Sequence, residues 1–187
     1  VTLICRVATV TFAVAQPDSW TNTATAGFWQ EANRWSLGLA PSTSQAGIFI
    51  TNAASKTITI ASSTPAANMT INDLTLSGPA ASVNTLQITN VGSAVPLRII
   101  NGCSIKSGAT LLVTNSVVRV DGGSSKQLLI DGSVTVRNGG SLVATNAGTF
   151  TAVGNAGSGS LTVQGGNLAV SRLYVGVGAG SQGEFTG

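Results

Sequence analysis

The side chains that carry most acid–base and metal chemistry are scarce in this chain. It contains no histidine, which removes the usual general base, the usual triad member and the commonest metal ligand together. Of its two cysteines, Cys5 and Cys103, the second lies between Gly102 and Ser104 with no base to activate it, and reads as a small buried filler. What remains is six carboxylates: Asp18, Glu31, Asp73, Asp121, Asp131 and Glu184. Paired acids can hydrolyse a glycoside, and acids gathered round Ca²⁺ beside a basic residue can serve a polysaccharide lyase, but a hard cation wants about six to eight oxygens. Asp121 and Asp131 fall in Val120-Asp121-Gly122-Gly123 and Ile130-Asp131-Gly132-Ser133, which are turn signals first. The glycine-rich runs at 122–125 and 176–180 lack the Lys-Ser/Thr ending or the following helix of a phosphate cradle. The sequence therefore offers no catalytic residue, no metal-ligand set and no cofactor site.

Recognition is the remaining chemistry. All three tryptophans, Trp20, Trp29 and Trp35, fall with Phe28 in residues 16–45. Such a cluster could be a platform on which sugar rings stack. It could equally close the N-terminal edge of a repeat array, where bare aliphatics and strand edges need a cover, and this cap is the favoured reading. The net charge of +3 and the isoelectric point of about 9.3 invite a nucleic-acid reading. The cations argue against it, because Arg34, Lys56, Arg98, Lys106, Arg119, Lys126, Arg137 and Arg172 are spread singly with no cluster to follow a phosphate backbone.

The elements that must position these residues are short. From Leu97 to Val175 the chain reads LRIING, SIKSG, TLLVTN, VVRVDGG, LLIDG, VTVRNGG, SLVATN, SLTVQGG, NLAV and RLYVG, each run closed by Asn, Gly or Asp-Gly. Strand and turn recur too quickly for a sandwich strand with its loop, and suit a chain that bends every few residues. Charged residues make up only 8% of the chain, mean hydropathy is +0.35, and Ser, Thr, Asn and Gly take the surface role. The repeated Val, Ile and Leu exclude a disordered Ser/Gly chain, and no window from residue 46 onward keeps a helical apolar period. The expected fold is all-β, a right-handed parallel β-helix (β-solenoid) with an N-terminal aromatic cap; an antiparallel β-sandwich is the alternative.

Three regions are expected. Residues 1–15, VTLICRVATVTFAVA, are apolar and end in Ala13-Val14-Ala15, as a signal peptide cut before Gln16 would; a first strand through Val10, Phe12 and Val14 is the alternative, and Arg6 leaves too short an apolar run for a membrane span. Residues 16–45 form the cap and 46–187 the solenoid. With coils near 97–115, 116–140 and 141–166, Val117, Val134, Leu142 and Leu161 should point inward, while Asn115, Asn138 and Asn146 at turns could form amide ladders. Phe185 should lie where Leu161 lay one coil earlier, leaving an apolar end open to end-to-end self-association.

Gly159-Ser160-Leu161-Thr162-Val163-Gln164-Gly165-Gly166-Asn167-Leu168-Ala169-Val170, then Leu173-Tyr174-Val175-Gly176, resembles the repeats of autotransporter-associated β-strand proteins, and the Trp29 to Pro41 segment resembles the start of such a passenger domain. The resemblance implies a secreted or bacterial surface-displayed β-helix with a passenger or adhesin-like role, of which this chain would be the N-terminal piece. The leading expectation is a non-catalytic stalk without cofactors. An adhesin or carbohydrate-binding module, meeting glycans or a host surface through the Thr/Asn-rich outer face, is the second. The N-terminal part of a polysaccharide-active enzyme is the third.

Overall fold

The computed structural model describes residues 14–79, 81–122 and 127–187. Strands account for 53% of it and helix for 4%, the latter as the short turns Ala32–Arg34 and Ala66–Asn68. Most strands are short because their alternating aliphatic and polar residues run into a residue that bends the backbone. Asn138 follows Ser133–Arg137 with φ of 48°, and Asn90 and Asn115, with φ of 55° and 43°, bend two longer strands, Asn84–Ile99 and Ala109–Val120, in the left-handed region that asparagine tolerates. The chain turns three corners and stacks on itself.

Three faces result. Face A is built from Pro17–Ser19, Gly47–Ile50, Leu74–Leu76, Cys103–Ile105, Gln127–Ile130, Phe150–Val153 and Leu173–Val175. Face B contains Ala26–Phe28, Lys56–Ile60, the first parts of Asn84–Ile99 and Ala109–Val120, then Ser133–Arg137, Ser158–Gln164 and Gln182–Thr186. Face C contains Thr70–Ile71, the later parts of those two long strands, Ser141–Ala144 and Asn167–Val170. The pairings along each face are parallel, and the one antiparallel contact among the described residues is an isolated bridge between Trp20 and Trp35. This is a β-solenoid, with seven strands stacked along face A and seven along face B among the described residues, and the antiparallel sandwich is excluded.

Parallel stacking brings like residues together. On face B, Ile58, Leu86, Leu111, Val134, Leu161 and Phe185 form one inward column, and Ile60, Ile88, Val113, Val136 and Val163 a second. Leu142 is buried as expected, in a face C column with Leu97, Val118 and Leu168. Val117 is not inward. Asn115 uses one residue to turn the corner, so that Val113, Ser116 and Val118 face in and Val117 faces out. Hydrogen bonds between neighbouring coils join residues 23 apart at Arg137 and Thr114, within the expected coil length, and 28 apart at Lys56 and Asn84, somewhat beyond it.

Strands also begin earlier than residue 46. Pro17–Ser19 pairs with Gly47–Phe49 and Ala26–Phe28 with Thr57–Thr59, so residues 16–45 are themselves the first coil, filled by indole rings instead of aliphatics. The leader reading of residues 1–15 lies outside the described residues apart from Val14 and Ala15, which are exposed and in no strand.

Candidate functional site

The tryptophans are interior residues. Trp29, Trp35 and Trp20 are 0%, 2% and 3% exposed, and they meet edge to face, Trp20 with Trp35 at 5.2 Å and Trp29 with Trp35 at 5.3 Å between centroids. Trp29 Nε1 donates to the Asn68 carbonyl at 2.7 Å and Trp35 Nε1 to the Trp29 carbonyl at 3.0 Å. Trp20 Nε1 is buried without a hydrogen-bond partner among the described residues. Rings buried this deeply present no face to a sugar at the surface, so the platform on Trp20, Trp29 and Trp35 gives way to a filled first coil. Arg34 covers the cluster, with its guanidinium carbon 5.9 Å from the Trp20 ring centroid and its Nε 2.6 Å from Glu31. Glu31 also accepts the Phe28 N–H at 2.6 Å; that bond, opposed by desolvation and reinforced by Arg34, holds its carboxyl below the usual range.

The other acids fasten segments that are distant in sequence. Buried Asp18 accepts from the Ser36 hydroxyl at 2.8 Å and the Leu37 N–H at 3.0 Å. Asp73 accepts from Asn101 Nδ2 and from the Gly102 N–H, both at 2.9 Å, one coil onward. Asp131 Oδ1 receives three successive N–H groups of the next coil, from Asn155 at 2.6 Å, Ala156 at 2.8 Å and Gly157 at 3.2 Å. Three donors converging on one carboxylate oxygen make an anion nest formed within the chain itself.

Asp121 joins two arginines. Arg98 and Arg119 lie in register on adjacent strands of face C, and the Nε of each donates to Asp121, one to each carboxylate oxygen. Burial alone would raise the Asp121 carboxyl; the hydrogen bonds from Arg119 and Arg98, with their charges, bring it below the usual range. Two of the cations that look evenly scattered in sequence are thus brought together, and the coil register was the only signal that could have located them. Cys103 is the inward filler expected of it: desolvation, helped by the charge of Asp73, pushes its thiol up to about 12.

A shallow groove of about 520 Å³ runs along the corner between faces A and B, floored by Gly108, Gly132, Gly159 and Gly183. Those positions need glycine, because a Cβ on Gly132 or Gly159 would collide with the carbonyl of Lys106 or Ile130 in the coil beneath. Asp131 and Glu184 both line the groove. Ser133 pairs with Ser160 and Ser160 with Glu184, which places the two acids two coils apart. That is about 10 Å along the axis, against about 5–5.5 Å for a retaining glycosidase pair. Beside the groove, Thr57, Thr85, Thr110, Ser133 and Ser160 form an outward hydroxyl column; the parallel column of Thr59, Gln87, Thr135 and Thr162 is interrupted by Leu112. The expected asparagine ladder is partial. Asn115 Nδ2 donates to Asn90 Oδ1 at 3.3 Å, Asn138 joins through backbone bonds, and Asn146 lies at another corner, donating to the Asp121 carbonyl.

Phe185 occupies the register position above Leu161 and is 44% exposed. Among the described residues no group of three or more metal-ligating side chains occurs, and no helix is long and apolar enough to cross a membrane. Compared with family models, with curated proteins and with solved structures, the chain matches none.

Proposed function

We propose that this chain is a non-catalytic β-solenoid shaft, exported and displayed at a bacterial surface as a passenger-like segment. The observation that carries the reading is the use made of its acids. Asp18, Asp73, Asp121 and Asp131 are each engaged by donors that tie one segment of the solenoid to another, and Glu31 braces its own turn through Phe28 and Arg34, an arrangement suited to holding coils together rather than to moving protons. Sparse charge, the apolar residues 1–15 and the likeness to autotransporter-associated repeats support export. A second reading, an adhesin or carbohydrate-binding module, draws on the hydroxyl columns of face B.

Protease treatment of intact cells producing the full-length gene product tests display. Peptides from this region should be released to the medium while cytoplasmic markers stay intact. A chain that stays protected until the cells are lysed would refute display. Turnover of a polysaccharide that survives Asp121→Asn combined with Asp131→Asn would refute the non-catalytic part.

A further inference from the structure

Face C differs chemically from the other two. Its outward column runs Thr70, Arg98, Arg119, Val143 and Ala169, so that two arginines lie one strand spacing apart, where like charges oppose each other. Asp121 lies against both with its side chain only 8% exposed, whereas the Arg98 and Arg119 side chains are 50% and 48% exposed. One carboxylate against two guanidinium groups leaves the cluster a net positive charge, and among the described residues neither arginine makes a second ion pair. The carboxylate also takes only the Nε of each arginine, while a guanidinium carries five N–H donors in a planar fork. Next to this column, Val117, Ser141 and Asn167 are in register, with Asn167 Nδ2 3.3 Å from the Ser141 hydroxyl.

We propose that Arg98 and Arg119 form a binding site for the carboxylates of an acidic polysaccharide lying along face C. A sugar carboxylate matches the guanidinium fork two bonds at a time and would complete the neutralisation that Asp121 leaves half done. Asp121 braces both arginine stems, so less side-chain freedom is lost on binding than for a free surface arginine. Ser141 and Asn167 supply hydroxyl and amide groups of the kind sugar hydroxyls bond. A polymer is favoured over a single acid because an exposed ion pair is weak alone, whereas linked carboxylates raise the effective concentration of the next. This site goes beyond the scaffold reading and does not depend on where the chain is displayed.

Isothermal titration of the whole 187-residue chain with galacturonate oligomers, and with galacturonate monomer, tests it. The oligomer should bind and the monomer should bind far more weakly. Arg98→Gln with Arg119→Gln should lower oligomer affinity roughly tenfold to a hundredfold, the effect of losing charge-assisted hydrogen bonds. Since the double change strands Asp121, Arg98→Gln alone keeps the Arg119 pair and should give part of the loss in a folded chain. The double arginine change should flatten the dependence of log affinity on log salt, because two cation–carboxylate contacts are lost. Absence of oligomer binding, equal affinity in a folded Arg98→Gln chain, or an unchanged salt slope after the double arginine change would overturn the site.

Discussion

Removing the Asp131 carboxylate should loosen the junction between two coils without touching the core. Its Oδ1 collects the N–H groups of Asn155, Ala156 and Gly157, and none of the three has another acceptor within its own turn. A hydrogen bond to a charged group contributes about 1.5–3 kcal/mol when buried. The full sum does not apply, because the donors share one oxygen and Ala156 is exposed, so its N–H returns to water. For Asp131→Ala we expect a loss of about 2–3 kcal/mol. Asp131→Asn keeps an acceptor at the same place without the charge and should lose only about 1 kcal/mol. At this chain length the changes correspond to lowered melting temperatures of roughly 5–10 °C and 2–4 °C. Differential scanning calorimetry gives the ranking, and hydrogen exchange gives the location: the amides of residues 155–160 should exchange faster while those of the Ile58 region, several coils away, are unchanged, because each coil contacts only its neighbours. An Asp131→Ala chain melting within a degree or so of the unaltered one would mean that water satisfies those three donors equally well, and the carboxylate nest would then contribute nothing to stacking.

Two further outcomes follow from the same geometry. The Asp121 carboxyl is held below its ordinary value by Arg119 and Arg98, so its contribution to stability is present above the ordinary carboxylate range and is lost as pH falls through the lowered folded value; melting curves taken from neutral to acid pH should show an acid loss that Asp121→Asn reduces, and equal curves would refute the linkage. Phe185 presents a partly exposed ring above the Leu161 column, so the chain should associate through that end, as tail-to-tail dimers or head-to-tail filaments, in a concentration series on size exclusion, and Phe185→Lys should return it to monomer; a monomer at every concentration without that change would refute it.

What was legible in the sequence was whatever depends on a period of two. Alternating Ile and Thr at 57–60, or Val and Thr at 134–136, fixes an inward and an outward face without knowledge of the neighbours, and Val134, Leu142 and Leu161 are inward as that pattern demands. The corners were harder. Whether Asn115 keeps or flips the alternation depends on its backbone angles, and a one-residue difference there exchanges Val117 for Val118. The first coil was hidden for another reason: its interior is filled by three indoles rather than an aliphatic column, so the period that marks the later coils does not begin until residue 46. The arginine pair was hidden most completely, since Arg98 and Arg119 become neighbours only through a coil length that no single run discloses.

The two Asp-Gly corners show why so few charges suffice. In a solenoid every corner needs a residue pair that turns easily, and Asp-Gly does this on its own coil. Because coils stack in parallel, the aspartate that turns one coil also faces a neighbouring one, so the same side chain can capture backbone donors there, as Asp131 does, or hold a neighbouring strand's arginine, as Asp121 does. A residue chosen for local turn geometry thereby gains a second role across the stack, and the next coil is held at the point where its own strand has ended and its backbone donors would otherwise lack partners. Elsewhere the ladder bonds of the parallel sheets and the inward aliphatic columns already fix each coil against the next, and further charges on the hydroxyl-rich faces would add little, because exposed ion pairs are weak. Arg98 and Arg119 depart from that economy. One of them would satisfy Asp121, and the second cation brings repulsion that the fold does not require, which is the physical reason to look for its purpose outside the chain.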